Sequence, residues 1–317
     1  MLFGNCETSK RLVLQHQHKW IVGMKHKLIQ SLRPSFEGLK QRLANRWPWQ
    51  LRVLLYHGLY DDTCSCPPST ADPSVFQPLS KLRSELTALK AQGYTFIRPE
   101  ETLSVMGKRG KYALLTFDDG YANNLLALPT LRELHVPAVF FVCSWHIENQ
   151  KAFWWDVVFR ELIARNVSSH DIGRRRREIK KLPWRALLSE LDREFGIEAS
   201  LPVSLADRPM TVNELATFAA DPLVTIGNHT QHHAILPLLD EVGVQRELQT
   251  CQDSIAAMCG YRPSMLAYPN GSVNGAVAEI SRSLGFKAAF TTVARPVLSF
   301  GVVSPCDSHL IPRLQPA

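Results

Sequence analysis

The sequence predicts an α/β protein in which helical crossovers connect the strands of a parallel sheet. Short apolar runs of strand type alternate along the chain with segments that have helical spacing, and this alternation favours a parallel sheet. The chain has 317 residues, of which 45% are hydrophobic and 21% charged. These values are ordinary for a globular protein and allow one large domain or two smaller ones.

The first predicted strand is the apolar run 51–56, which ends at His57. A loop rich in Asp, Ser, Pro and Cys follows over residues 61–78. Helical spacing over residues 79–92 then ends at a glycine, a natural C-terminal cap. A short strand at 94–97 and a helix that begins with a proline lead to a buried strand that ends at Thr116.

The alternation of helices and strands continues beyond residue 121. The pattern predicts helices at about 122–134, 210–219, 241–258 and 273–284, and strands at 138–143, 223–226, 264–267 and 288–291. Residues 145–205 differ, because they show helical spacing without strands. We therefore expect a mostly helical insertion there. Its run of four arginines at 174–177 is interpreted as a solvated helix face, and nucleic-acid contact is the alternative.

Residues 1–50 form a basic segment. They hold nine Lys or Arg residues and two Glu, a net charge of +7 that equals the formal charge of the whole chain. Leucines recur there at three- and four-residue steps, which predicts an amphipathic helix interrupted by Pro34. Two roles fit such a segment: contact with an anionic membrane surface, or docking on the rest of the protein. We predict two domains, 1–50 and 51–317; the second is neutral overall, so no nucleic-acid partner is expected.

Cysteine usage and hydropathy bear on the compartment. The seven cysteines are an odd number and widely scattered, and Cys64-Ser65-Cys66 is too tightly spaced for a zinc knuckle. The sequence has no apolar run of about 18 residues, and residues 1–14 lack the apolar core of a secretory signal. We expect a cytoplasmic protein, peripheral to the inner face of the membrane if residues 1–50 bind lipid.

Two polar motifs follow predicted strands and together indicate a metal site. The first is Thr116-Phe117-Asp118-Asp119-Gly120-Tyr121, which places two carboxylates at a strand's carboxyl end, where open α/β sheets bind ligands. In the second, His229 and His233 are four residues apart, so one helical turn would put both rings on one side. A carboxylate and two imidazoles leave a divalent metal open to water and substrate. The other carboxylate would serve as a base for metal-assisted hydrolysis. Taken alone, Asp-Asp-Gly also suits a turn or a helix cap.

With Ala267-Tyr268-Pro269-Asn270-Gly271, these motifs resemble the first three motifs of the polysaccharide deacetylases, the NodB-homology enzymes of carbohydrate esterase family 4. The resemblance covers roughly residues 51–315, with 145–205 as an elaboration. It implies a distorted (β/α) barrel, often seven-stranded, and metal-dependent removal of acetyl groups from N-acetylated sugars. An O-acetyl esterase, an N-deformylase and a non-catalytic glycan-binding protein are the alternatives on the same fold.

The resemblance also implies roles for the matching residues. Asp118 is expected to be the catalytic base, and Asp119, His229 and His233 are expected to bind the metal, with His232 as a neighbour. The Tyr268 backbone N–H is expected to help hold the oxyanion. Substrate binding is assigned to three further residues: Pro269, Asn270 and the aromatic Trp145. One oxygen and two nitrogens suit Zn²⁺, and also Co²⁺ or Ni²⁺.

The general acid departs from the usual motif order of that family. A late Leu-x-His motif is absent near residue 313, whereas Leu54-Leu55-Tyr56-His57 ends an early strand. This order resembles a circularly permuted branch found among exopolysaccharide deacetylases. His57 is therefore expected to protonate the leaving amine. His309 is the second candidate, and a core or turn histidine is the other interpretation of His57.

The expected partner is a carbohydrate. A cytoplasmic enzyme cannot reach a finished cell wall or capsule, so we expect an N-acetylated sugar precursor, for example a lipid-linked glycan at the inner membrane face.

Overall fold

A computed structural model describes residues 49–63, 70–294 and 307–316. The basic amphipathic helix is predicted within residues 1–50, of which residues 1–48 lie outside the described part of the chain. The Cys64-Ser65-Cys66 segment also lies outside it. The described part contains the free cysteines Cys143, Cys251 and Cys259. None of its helices is long and apolar enough to cross a membrane.

The main sheet is parallel and curls into a barrel. Its strands follow the order β1-β5-β6-β7-β8-β9, β4 pairs with the first half of β5, and β2 and β3 form a separate pair. The strands are β1 (Trp49–Tyr56), β2 (Gly58–Tyr60), β3 (Phe76–Pro78), β4 (Thr95–Phe96), β5 (Gly110–Phe117), β6 (Ala138–Val142), β7 (Val224–Asn228), β8 (Met265–Ala267) and β9 (Ala288–Phe290). This architecture confirms the predicted (β/α) barrel.

Helices cover the outside of the sheet and build the insertion. They are α1 (Leu79–Ala91), α2 (Thr102–Val105), α3 (Leu128–Leu134), α4 (Ser144–Asn149), α5 (Trp154–Ala164), α6 (Ser169–Ile179), α7 (Trp184–Phe195), α8 (Val212–Ala219), α9 (Glu241–Cys259) and α10 (Gly275–Ser283). The predicted helix 122–134 is divided into a 3-10 helix, Ala122–Ala127, and α3. Pro129 lies in the first turn of α3, where its missing N–H leaves no helical bond unmade.

The C-terminal segment closes the barrel. Ile311 forms a parallel bridge with Phe290 of β9, and Leu314 forms one with Leu54 of β1. Backbone hydrogen bonds support both bridges: Thr291 N–H donates to Ile311 O at 2.8 Å, and Leu55 N–H donates to Leu314 O at 2.8 Å. Residues 311–314 therefore connect the last strand, β9, to the first strand, β1.

Alternate residues along each strand face two different cores, as expected for a parallel sheet that is buried on both sides. The core inside the barrel contains Leu51, Val53, Leu114, Val139, Phe141, Met265, Ala267, Ala288, Phe290 and Ile311. The core outside lies under α1, α3, α8 and α9 and contains Leu54, Tyr56, Leu115, Phe117, Phe140, Val142, Val224 and Ile226. This two-residue alternation decides which side chains enter the barrel mouth.

The insertion is helical and has a core of its own, built on Phe153, Trp154, Trp155 and Val157. Its arginine run is not uniformly solvated, contrary to the sequence interpretation. Arg175 on α6 forms ion pairs with Glu190 and Glu194 of α7, and Arg176 pairs with Asp72. Arg175 thus joins two helices of the insertion, and Arg176 joins the insertion to the segment before β3.

Candidate active site

The inward-facing positions of the strands place three predicted site residues at one end of the barrel. The series Leu51, Val53 on β1 continues in steps of two to His57, and Leu114 on β5 continues to Asp118. Tyr56 and Phe117 are register partners, and Asp118 N–H donates to Tyr56 O at 2.9 Å. His57 and Asp118 therefore follow neighbouring strands at the same level. His229 enters the same mouth because it directly follows the outward-facing Asn228 at the end of β7.

Three residues form a candidate metal centre. Asp119 Oδ1 lies 3.5 Å from His229 Nε2 and 3.5 Å from His233 Nε2, and the three ligand atoms lie within 4.8 Å of one another. Among the described residues, the buried Asp119 Oδ1 has no hydrogen-bond partner. Buried carboxylate oxygens are almost always satisfied, so this oxygen fits a cation between the three groups.

The two imidazoles are prepared as ligands by their surroundings. His229 Nδ1 lies 2.8 Å from Ala267 O, so it carries the proton and leaves Nε2 free for a metal. Burial lowers the pKa of His229, but the carboxylates of Asp118 and Asp119 outweigh burial and raise it. Burial and the nearby His229 hold the pKa of His233 well below its usual value. His233 is consequently a neutral imidazole.

The His229–His233 segment is a loop, not the helical turn that the spacing predicted. His233 has φ 56°, in the left-handed region. Thr230 Oγ1 accepts from Ala234 N–H at 3.0 Å, and Glu247 O on α9 accepts from Gln231 N–H at 3.1 Å. These contacts turn the loop so that both rings reach Asp119.

The backbone of the first motif is held in an unusual conformation. Asp119 has φ 75°, and the following Gly120 has φ 89°. A Cβ atom on Gly120 would approach the Val142 side chain to 3.0 Å. A non-glycine residue at positive φ stores strain, and such strain concentrates at functional sites.

Sequence reasoning missed Arg313, which is fully buried beside the predicted base. Its Nη1 donates to Asp118 Oδ1 at 2.6 Å and its Nη2 donates to Asp118 Oδ2 at 2.7 Å, a bidentate pair. Its Nε donates to Thr291 O at 3.0 Å. Arg313 lies two residues after the inward-facing Ile311, so the two-residue alternation also turns Arg313 inward. This relation can be recognised only once residues 311–314 are known to close the barrel.

Arg313 determines the charge of Asp118. Burial raises the pKa of that carboxyl, but Arg313, with a smaller contribution from His229, outweighs burial and holds the pKa below its usual value. His229 Nε2 lies 3.8 Å from Asp118 Oδ2. Asp118 is thus an ionised carboxylate at neutral pH, placed beside the candidate metal centre rather than among its three ligands.

The oxyanion assignment of the Tyr268 N–H was wrong. That N–H donates to Phe290 O at 3.0 Å in the β8–β9 ladder, so it is not available to a substrate. The Tyr268 ring lies in the outer core, because it follows the outward-facing Leu266 in steps of two. Two residues later, Asn270 has φ 56° and lines a cleft together with His233. Pro269 is buried at the turn between them.

Aromatic rings line this cleft, but the predicted substrate-binding Trp145 is not among them. Trp145 is half-buried and packs edge-on against Trp184, with ring centroids 4.9 Å apart. Trp184 and Trp154 line the cleft itself. The Trp184 ring lies 4.7 Å from the His232 ring, whose Nδ1 is 2.6 Å from Glu247 Oε1. Trp184 was not singled out from the sequence, since only tertiary packing carries it to the barrel mouth.

His309 does not reach the site. Its Nε2 lies 3.1 Å from Phe286 O, just before the amino end of β9. The candidate site lies at the carboxyl ends of the strands, on the opposite side of the barrel. Among the described histidines considered as general acid, His57 is therefore the one at the barrel mouth.

The fold and this site define a (β/α) barrel with a carboxylate–imidazole centre at the carboxyl ends of its strands. A family model described as polysaccharide deacetylase matches residues 106–289, more than half of the chain. The protein therefore belongs to the polysaccharide deacetylase family, whose members are hydrolases that remove N-acetyl groups with a divalent metal. The match includes Asp118, Asp119, His229 and His233, whereas His57 and Arg313 lie outside it.

Solved structures share the fold at low sequence identity. The deacetylase PplD from Streptococcus pyogenes, in complex with acetate, has a TM-score of 0.57 and 17% identity; the alignment covers 85% of this chain and 93% of that chain. IcaB from Ammonifex degensii has a TM-score of 0.56 and 19% identity, with 84% and 91% covered. The polysaccharide deacetylase BC0361 from Bacillus cereus has a TM-score of 0.57 and 16% identity. There the alignment covers 84% of this chain and just under two thirds, 65%, of that chain. No curated protein matches the sequence.

Proposed function

We propose that this protein is a metal-dependent deacetylase that removes N-acetyl groups from an amino-sugar-containing glycan or glycan precursor. The observation that carries the proposal is the buried Asp119 Oδ1, which has no hydrogen-bond partner in the described part of the chain and faces two imidazole Nε2 atoms, beside an Asp118 carboxylate that Arg313 keeps ionised. One group for metal binding and one for proton transfer are the minimum that metal-assisted amide hydrolysis requires.

Asp119, His229 and His233 would hold the divalent metal, which supplies Lewis acidity and lowers the pKa of bound water. We propose Zn²⁺, with Co²⁺ or Ni²⁺ as substitutes that the same ligand set accepts.

The chain's own residues would move the protons. Asp118 accepts the proton of the attacking water, because Arg313 binds it bidentately and holds it charged and oriented. His57, at the same level on the neighbouring strand, donates a proton to the leaving amine. The Asn270 N–H, on the turn that lines the cleft, takes the oxyanion role first assigned to Tyr268. Trp184 offers an aromatic face to a sugar ring.

The test is amine release from N-acetylglucosamine oligomers by the purified protein, with and without added Zn²⁺ or Co²⁺. Asp118→Asn should abolish release while metal binding is retained. Asp253→Asn is the matched control, since Asp253 forms an exposed ion pair with Arg262 on the surface. Full activity in Asp118→Asn, or release that chelation does not affect, would contradict the proposal. Parallel assays with an acetyl ester and a formamide separate the esterase and deformylase alternatives.

We further propose that the substrate is met at the inner face of the membrane, through residues 1–50. The support is the net charge of +7 in that segment and its leucine periodicity. Binding to vesicles containing anionic lipid should require residues 1–48. Equal binding by the full chain and by a chain lacking those residues would refute this.

A further inference from the structure

The helical insertion forms one wall of the cleft beside the candidate metal centre. The linker between α6 and α7 contributes Lys180 and Leu182 to its lining, and the first residue of α7 contributes Trp184. The opposite wall comes from barrel loops and includes His233 and Asn270. Because His233 is a candidate metal ligand, a sugar whose acetamido group reaches that centre must place its neighbouring groups along this cleft.

Lys180 brings an unpaired positive charge into the cleft. Its side chain is half-buried, and its Nζ donates to Asn270 Oδ1 at 2.6 Å. Within the described residues, no carboxylate lies at ion-pair distance from this ammonium. Glu247, the acidic residue of the lining, is hydrogen-bonded to His232.

Lys180 follows the end of α6 and differs from two arginines of that helix. Arg175 and Arg176 are each matched with acidic partners inside the protein. Lys180, one turn after Arg176, is turned instead toward the Asn270 turn and has only an amide oxygen as partner. Burial and the charge of Arg176 lower the pKa of Lys180. An ammonium that is partly removed from water and lacks a counter-ion is stabilised when an anion enters beside it.

Lys180 also lies close to the candidate reaction centre. Lys180 and the candidate metal ligand His233 both line this cleft, and Lys180 Nζ donates to Asn270 Oδ1 on the wall that carries His233. An anionic group paired with Lys180 Nζ would therefore be carried by the reacting sugar or by its immediate neighbour.

We propose that the cleft takes a phosphorylated N-acetylated amino sugar, whose phosphate or phosphodiester pairs with Lys180 while its acetamido group reaches Asp118. This inference rests on the proposed deacetylation and specifies its substrate class. The shared chemistry has two sources, a soluble sugar phosphate and a lipid-linked sugar. Exposed leucines on the cleft lining, Leu182 at 37%, Leu239 at 36% and Leu238 at 65% exposure, offer an apolar surface to the second.

The kinetic test compares N-acetylglucosamine 1-phosphate with methyl N-acetylglucosaminide. Wild type should prefer the phosphate substrate by about 10-fold or more in kcat/KM, the value of one charge-assisted hydrogen bond. Lys180→Gln, which can still hydrogen-bond Asn270, should lose the preference through KM and change the neutral substrate by less than about 3-fold. Lys287→Gln is the matched control, because Lys287 is exposed before β9 at the opposite end of the barrel.

Two kinetic outcomes would overturn the inference. One is equal kcat/KM for both substrates in the wild type. The other is an equal loss on both substrates in Lys180→Gln, which would make Lys180 a residue that only positions the Asn270 turn. A farnesyl-diphosphate-linked N-acetylglucosamine separates the two sources: a lower KM than for the 1-phosphate assigns the lipid-linked sugar, and an equal KM assigns the soluble one.

A binding experiment separates failure of this inference from failure of the proposed function. Calorimetry on chelated protein removes direct phosphate–metal contact. N-acetylglucosamine 1-phosphate should bind wild type and Lys287→Gln, and bind Lys180→Gln about 10-fold more weakly. If neither substrate releases amine but this difference persists, deacetylation is wrong and the anion site stands. Equal binding by all three proteins overturns the anion site.

Discussion

Replacing Arg313 with Met tests the central electrostatic argument of the site. The substitution keeps a long side chain but removes the guanidinium that binds both oxygens of Asp118 at 2.6 and 2.7 Å. Both side chains are almost fully buried, with exposures of 0% and 3%. Breaking such a pair leaves a buried carboxylate without its partner, which costs about 3–5 kcal/mol.

The sign of the pH dependence follows from the pKa of Asp118. In the wild type that pKa is below its usual value, so the pair stabilises the fold above the unfolded pKa of about 3.9 and the stabilisation is lost as pH falls through the folded pKa. Without Arg313, burial dominates and raises the pKa. The variant is then destabilised as pH rises through that raised value, so its loss in Tm should be larger at pH 8 than at pH 5.

Replacing Arg313 with Met should also shift the acid limb of the pH–activity profile to higher pH, because the pKa of Asp118 rises. At about 1.4 kcal/mol per pKa unit, 3–5 kcal/mol corresponds to a shift of two units or more in the pKa of the base. The assays are kcat/KM for amine release against pH and thermal unfolding at pH 5 and 8. Arg208→Met is the matched control, because Arg208 binds Glu214 with two hydrogen bonds, of 2.6 and 2.9 Å, but at exposures of 28% and 32%. It should cost less than about 1 kcal/mol. An unshifted acid limb in Arg313→Met, with an equal Tm loss at both pH values, would refute the reasoning.

Three further outcomes are expected. A divalent metal at 100 times its Kd should stabilise the wild type by about 2.7 kcal/mol in thermal unfolding. Asp119→Ala should lose this stabilisation, and the control Asp253→Ala should keep it. Stabilisation of Asp119→Ala by the metal would exclude Asp119 as a ligand. Gly120→Ala should lower the free energy of unfolding by about 1–3 kcal/mol in denaturant titrations, since Gly120 has φ 89° and little space near Val142. The control Gly275→Ala should be neutral or stabilising, because a Cβ atom at the start of α10 meets open space. Burial raises the pKa of Asp156 to about 8, so the contribution of this residue to wild-type stability should fall as pH rises from about 4 through 8. The Tm of Asp156→Asn should therefore rise relative to that of the wild type between pH 6 and 9. A difference in Tm between the two proteins that does not change with pH would contradict this.

The candidate metal triad could be recognised in the sequence because its three side chains lie in short local patterns at the ends of apolar strands. The conformation of its second half could not. The four-residue spacing of His229 and His233 suggested a helical turn, but a positive φ at His233 and contacts from Thr230 and the distant Glu247 produce a loop. The candidate triad does not depend on this difference, since a helical turn and this loop both bring two rings to one carboxylate.

The contacts of Asp118 and Asn270 with basic side chains join residues that are far apart in the sequence, so no local sequence pattern predicts them. Arg313 and Asp118 are 195 residues apart, and Lys180 and Asn270 are 90 residues apart. Arg313 could not be recognised from the sequence, because an isolated buried Arg has no sequence signature of its own. Only the closure of the barrel by residues 311–314 turns that position inward.

Once one inward residue is known, the two-residue alternation of the strands assigns the others. Stepping from Leu114 gives Asp118, stepping from Val53 gives His57, and stepping from Ile311 gives Arg313. The same rule turns Tyr268 outward and uses its N–H in the sheet, so the oxyanion donor must come from beyond the strand. The proposed base, its arginine partner, the proposed acid and the three candidate metal ligands thus come from four separate segments of the barrel. Their mutual geometry is therefore a property of the closed barrel, and a substitution that opens the 311–314 closure should disturb proton transfer before it disturbs the metal ligands.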